Sequence, residues 1–163
     1  MQSLRASGGY SFIELSVVIA LIAIVTAIAV PSILTYIEAE KIRGAARDIV
    51  ALMNEARQLA VTRNISFSVE GQTSPLNQLR FCSGSISPCP PAAVWIAPST
   101  NANGWIVIDN VDLVLAQPIT FTALGAAAPG GRLRVQQQRS ANCLDVVVSA
   151  SGRIQITAAL ACP

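Results

Sequence analysis

The sequence predicts an α+β protein. One long N-terminal helix, its first half transmembrane, packs through its second half on a small, mostly antiparallel β-sheet head. Three observations carry this. The run from Phe12 to Leu34 is almost unbroken hydrocarbon. The run after it keeps a helical period but confines its apolar residues to one stripe. From Ile65 onward, short alternating segments are separated by turn clusters.

Phe12 to Leu34 is 23 residues, long enough to cross a hydrocarbon core of about 30 Å as a helix. Fourteen of them are Leu, Ile, Val or Phe. At about 0.3–0.6 kcal/mol each, their sum, on the order of 6 kcal/mol, exceeds the roughly 2.5–3.5 kcal/mol that one carboxylate costs at mid-span. Glu14 therefore does not bar insertion, but it needs a reason to be there. A secretory signal is the rival reading: Arg5 supplies a basic start and Ala27-x-Ala29 a cleavage pattern, with everything before Val30 discarded. Flanking charge does not arbitrate, since Arg5 stands against Lys41, Arg43 and Arg47.

Beyond Pro31, apolar residues recur at Ile42, Ala46, Ile49, Met53, Ala56 and Ala60, spacings of three and four that mark one helix face. Arg43, Arg47, Asn54, Arg57 and Gln58 fall largely elsewhere. No strong stop separates this helix from the apolar run, although Pro31 is a candidate kink and Gly44 a soft point. Read from Ser11 to Arg63, the helix would be about 80 Å long. Its stripe needs a surface to lie on. "ISFSVE", "QLRFC", "AVWIA", "GWIVID", "VDLVLA", "ITFTAL", "RLRVQ", "CLDVVVSA" and "RIQITA" read as the strands that provide it, divided by "GQTSP", "SGSISPCPP", "PSTNANG", "GAAAPGG" and "SASG".

With 163 residues, the chain has room for one modest domain and an appendage. The formal charge of +2 is too small to argue for nucleic acid in bulk. Histidine is absent, which removes the commonest general base and metal ligand. No phosphate loop or nucleophile elbow occurs, so the chain reads as a non-enzyme needing no cofactor. Cys82, Cys89, Cys143 and Cys162 are spaced C-x6-C and C-x18-C, unlike the close pairs of zinc sites, and behind a membrane-targeting segment they read as disulfides. Four cysteines allow three connectivities; nearest-neighbour pairing, Cys82–Cys89 and Cys143–Cys162, is the expectation.

Two polar groups merit attention. Asp109, Asn110 and Asp112 offer oxygens to calcium, but too few for its six to eight ligands, so no metal is expected and a solvated turn is the favoured reading. Arg132, Arg134, Arg139 and Arg153 outnumber the acids of the last third and would suit phosphate contacts; solvated strand and turn arginines are favoured over that. Trp95 and Trp105 read as core or sheet-face aromatics rather than stacking platforms.

"GYSFIEL" resembles the processing site of type IV pilins and type II secretion pseudopilins: Gly9, the aromatic Tyr10, and Glu14 as fifth residue of the processed chain. Pro31 also falls where these proteins commonly carry a proline. "GAARDIVALMNEARQLAVTRNISFSV", with its EAR-x-x-A run, "GWIVIDN" and the S-x-x-GR turn of "VVVSASGRIQI" resemble the GspH/FimT family. The resemblance implies a leader 1–9, a membrane and filament-core segment 10–34, and a periplasmic remainder 35–163. It implies cleavage between Gly9 and Tyr10 by prepilin peptidase, N-methylation of Tyr10, and a single-pass chain in a bacterial inner membrane that assembles with other pseudopilins or pilins. Glu14 would then meet a neighbouring subunit's N-terminal ammonium and fix its axial register, rather than adding much net stability. The competing account of Glu14 is a carboxylate snorkelling at the interface.

The leading function is a minor pseudopilin of type II secretion. The alternative is a FimT-like minor pilin of type IV pili, active in pilus assembly or DNA uptake. DNA-binding FimT proteins carry a C-terminal GRxR; here the matching turn reads Gly152-Arg153-Ile154-Gln155 and lacks the second arginine, while a literal GRLR at Gly131–Arg134 precedes an earlier strand. Nucleic acid is thus a partner the arginines allow but do not favour.

Overall fold

The computed structural model describes residues 11–72, 75, 77–85, 88–96, 100–109, 111–137, 142–159 and 162. The chain divides into two compact units, Met1–Ile37 and Glu38–Pro163. A single helix, α1 (Phe12–Arg63, 52 residues), contributes to both and runs through Pro31 without interruption.

In the first unit α1 is entered from Ser11, whose carbonyl accepts the Leu15 N–H at 3.2 Å. Glu14 is the one formal charge between Ser11 and Ile37. The hydroxyls that would otherwise burden an apolar helix turn back onto its own carbonyls: Ser16 Oγ donates to Phe12 at 2.9 Å and Thr26 Oγ1 to Ile22 at 2.8 Å. Phe12, Ile13, Leu15, Val17, Ile19 and the large apolar residues that follow are exposed within the molecule. The segment is long and apolar enough to cross a bilayer.

In the second unit the stripe read from the sequence is the buried one. Ile42, Ala46, Ile49, Met53, Ala56 and Ala60 are all buried, joined by Ala45. The helix ends because Asn64 takes the left-handed conformation, φ 54°. Ile65 N–H then donates to Ala60 (3.2 Å) and Asn64 N–H to Val61 (3.3 Å), closing the last turn in a Schellman arrangement.

Among the described residues, nine antiparallel strands follow. β1 (Phe67–Gly71), β2 (Gln78–Ser83), β3 (Val94–Trp95), β4 (Ile106–Val107) and β6 (Ile119–Phe121) make one sheet, ordered β3-β2-β1-β6 with β4 also on β2. β5 (Asp112–Leu115), β7 (Gly131–Gln136), β8 (Cys143–Val148) and β9 (Ile154–Ala158) make a second, ordered β5-β7-β8-β9. The sequence reading assigned all nine segments but treated them as one sheet. The difference arises at Ala116–Gln117, where the chain bends ahead of Pro118; proline cannot donate to a ladder, and the next strand pairs with β1 (Phe67 opposite Phe121) instead of continuing β5. The core is then shared: Phe67, Val69, Leu79, Phe81, Ile119 and Phe121 from one sheet and Leu113, Leu133, Val135, Val146 and Val148 from the other meet Ile49 and Met53 of α1.

Candidate assembly segment and head surface

Gly9 and Tyr10 lie outside the described residues, as do Asn110 and Arg139. Glu14 is placed, in the first turn of α1. With Ser11 as the residue before the helix, Glu14 occupies the third helical position, the S-x-x-E pattern of a capping box. A carboxylate there is favoured by the N-terminal end of the helix dipole. This local pattern was present in "SFIE", and a carboxylate at that position suits the helix end separately from any contact with a neighbour.

In the second unit, two of the motifs that carried the family resemblance converge. Arg57, the arginine of the EAR run, donates from Nε to the carbonyl of Gly125 at 2.8 Å. Gly125 sits at φ +79° in the tight turn after β6, and Gly152 of the S-x-x-GR turn, also at φ +79°, packs on that same carbonyl. A Cβ on Gly152 would fall 2.0 Å from the Gly125 oxygen and 3.3 Å from Arg57 Nε. The helix, the β6–β7 turn and the β8–β9 turn are thereby tied at one point. Sequence reasoning missed Gly125; it lies 68 residues from Arg57 and nothing around it marks the contact.

The arginines separate into distinct environments. Arg132 and Arg134 project from β7 on the face opposite buried Leu133 and Val135, and both reach Asp145 of β8. Arg134 Nε donates to Oδ1 at 2.9 Å and Arg132 Nη1 lies 3.4 Å from Oδ2, while Asp145 is only 2% exposed. The hydrogen bond to Asp145, and then its charge, hold the Arg134 guanidinium above the ordinary arginine pKa, with desolvation opposing. Arg153 is exposed beside Gln155, whose amide oxygen faces its guanidinium.

A second cluster fastens the loop after β2. Arg80 pairs with Glu70 across β1 and β2, Nη2 to Oε2 at 2.7 Å, and Glu70 also accepts the Cys89 N–H at 3.3 Å. The Arg80 guanidinium lies 4.4 Å from the ring centre of Trp105, and that of Arg63 lies 4.0 Å from that of Trp95. Trp95 in turn meets Phe67 edge-on at 6.0 Å. Each tryptophan thus has a face covered by the protein's own arginine. Disulfides join Cys82 to Cys89 and Cys143 to Cys162, both with Cα–Cα distances of 5.8 Å.

Glu70, Cys82 and Cys89 are the one grouping of potential metal-ligand atoms among the described residues, and two of its three members are committed to a disulfide. Asp109 instead lines an open groove of about 570 Å³ between α1 and β4, shared with Asp48, Glu55, Lys41 and the apolar Leu52 and Ile106.

The model for the family described as "Type II transport protein GspH" matches residues 45–152. The fold is similar to that of the type IV minor pilin FimU of Pseudomonas aeruginosa (TM-score 0.57, 20% identity, covering 74% of this chain and 99% of that one). It is also similar to the minor pseudopilin EpsH from the type 2 secretion system of Vibrio cholerae (TM-score 0.53, 10% identity, 72% and 97% covered). At these identities the likeness is one of fold. No curated protein matches the chain significantly.

Proposed function

Because the chain belongs to the GspH family, we propose that it is a minor pseudopilin: a structural subunit that enters a periplasmic filament of a type II secretion system. The observation that carries this reading is the combination within one helix, α1, of an exposed apolar segment long enough for a bilayer and a stripe that is buried in a β-rich head. In this reading prepilin peptidase cuts between Gly9 and Tyr10, Tyr10 is N-methylated, and the head faces the periplasm from a single inner-membrane span. Removal of the leader leaves Glu14 four residues from a new ammonium group. In a low-dielectric bundle of such helices, the carboxylate is costly without a cation, and the terminal ammonium of a neighbouring subunit is the nearest one the filament supplies. The pair sets register more than stability.

A FimU-like or FimT-like role in a type IV pilus is the second reading, favoured by the likeness in fold to FimU. Deletion of the gene in its own host separates the two. Loss of secreted enzymes from the medium, restored by the wild-type gene but not by Glu14→Ala, is expected. Intact secretion with loss of twitching or DNA uptake would transfer the protein to the pilus.

A further inference from the structure

The two sides of the buried stripe of α1 carry different charge. On one side Lys41, Asp48 and Glu55 follow one another beside Gly44, Ala51 and Leu52, and with Val107 and Asp109 they line the open groove of about 570 Å³. On the other side Ala39 and Arg43 border the start of β8, and Arg47 follows one turn later, exposed.

The groove has an apolar floor and an unbalanced rim. Leu52 is half-buried, Val107 leaves 46% of its surface to solvent, and a Cβ on Gly44 would meet nothing within 4 Å. Asp48, Glu55 and Asp109 outnumber Lys41, and none of the three acids has an ion pair among the described residues. Glu55 is half-buried, so an arriving cation would be screened less there than at an open surface. Across the stripe, Arg47 also lacks an ion pair among the described residues, and Arg43 holds only Glu40, in an exposed pair at 2.6 Å that is readily exchanged.

We propose that the groove receives the Arg43–Arg47 flank of a second copy of this chain, with the two helices running the same way. The contact deepens the filament reading and rests on it for that parallel alignment. The spacing selects the register. The midpoint of Arg43 and Arg47 lies about six and a half residues before that of Asp48 and Glu55, so an axial offset of about 10 Å brings each arginine level with one acid to within about 2 Å. With no offset, Arg47 would stand level with Asp48 but Arg43 with Lys41, and the lysine opposes that register by like charge. At the larger offset the arginine stems lie over Leu52 and Val107, and Asp109 closes the site from the β4 side. Donor flank and receiving groove are different surfaces, so the contact is heterologous: each copy gives one and takes another, and copies continue in a line instead of closing as a pair.

All four native cysteines are in disulfides, so added thiols report the contact. The full-length Arg43→Cys/Ala51→Cys protein, which keeps Arg47 and the three acids, is oxidised with copper–phenanthroline in native membranes. The two positions are about 12 Å apart along one helix and cannot join within a chain. A disulfide-linked ladder of dimers and higher species is expected, with neither single cysteine giving more than one-tenth of its dimer. Glu55→Arg added to the pair is expected to lower the yield at least fivefold at unchanged protein level, and Arg47→Glu added to that is expected to restore it. Dimers from either single cysteine, failure of the reversed pair to restore the ladder, or cross-linking only to a different protein would each overturn the proposal. Absence of the ladder in cells whose secretion depends on the protein overturns the contact and leaves the filament reading standing. A ladder in cells whose secretion survives deletion of the gene keeps the contact and overturns the secretion reading.

Discussion

Arg57 and Gly152 meet across one carbonyl oxygen: Arg57 Nε donates to the Gly125 oxygen at 2.8 Å, and a Cβ on Gly152 would come within 2.0 Å of the same atom. Both the positive φ of Gly152 and the contact require glycine. Gly152→Ala is expected to destabilise the head by about 2 kcal/mol or more, from left-handed strain and displaced backbone. Arg57→Ala, which strips a charged donor from a packed carbonyl, is expected to cost about 1.5–3 kcal/mol. Because both act on one oxygen, the double variant should fall short of the sum. Urea unfolding of the detergent-solubilised protein, followed by tryptophan fluorescence, measures all three; strict additivity would refute the shared junction.

The disulfides differ in the loop each closes. On the loop-entropy relation, Cys143–Cys162, 19 residues apart, is expected to contribute about 3 kcal/mol, and Cys82–Cys89, 7 apart, about 2.5 kcal/mol. Paired alanine substitutions measured by the same unfolding assay give the ordering. Non-reducing peptide mapping should recover both linkages, and a Cys82–Cys143 peptide would contradict them.

Processing is tested at the new N-terminus. Mass spectrometry of protein from cells containing prepilin peptidase should find a chain beginning with methylated Tyr10, and Gly9→Leu should leave the longer form in the membrane. A chain beginning at Val30 would establish the signal-peptide account instead.

The arginines are expected to bind DNA weakly. Arg132 and Arg134 are engaged by Asp145, and Arg134, with its pKa raised, keeps its proton until pH rises beyond the ordinary arginine range. Arg134 therefore offers no neutral-pH switch for phosphate. Duplex DNA should bind no more tightly than about 10⁻⁴–10⁻⁶ M at physiological salt. Gln155→Arg, which completes GRxR, is the informative gain: salt-sensitive binding that Arg153→Ala abolishes would show the turn to be competent. Nanomolar binding by the unmodified protein, with a log–log salt slope near −3 to −4, would favour DNA uptake over secretion.

The sequence by itself determined the features whose signals are local. The apolar run, the stripe from Ile42 to Ala60 and nine short strands follow from side-chain period alone, because period dictates which face meets water. The S-x-x-E pattern at the helix entrance was equally local in "SFIE". What only the tertiary structure decided depends on residues far apart in the chain. The division into two sheets turns on where the strand after Pro118 finds its partner, and pairing choice is not written in either strand. The Arg57–Gly125–Gly152 junction joins three segments whose only common feature is a close approach. Asp145 read as one of several charges on an alternating strand; its burial between Arg132 and Arg134 follows from the β7–β8 register, which sets Arg134 opposite it. The place of β9 at the end of its sheet among the described residues is likewise a property of strand order, since a strand looks the same in sequence whether one or both of its edges are paired.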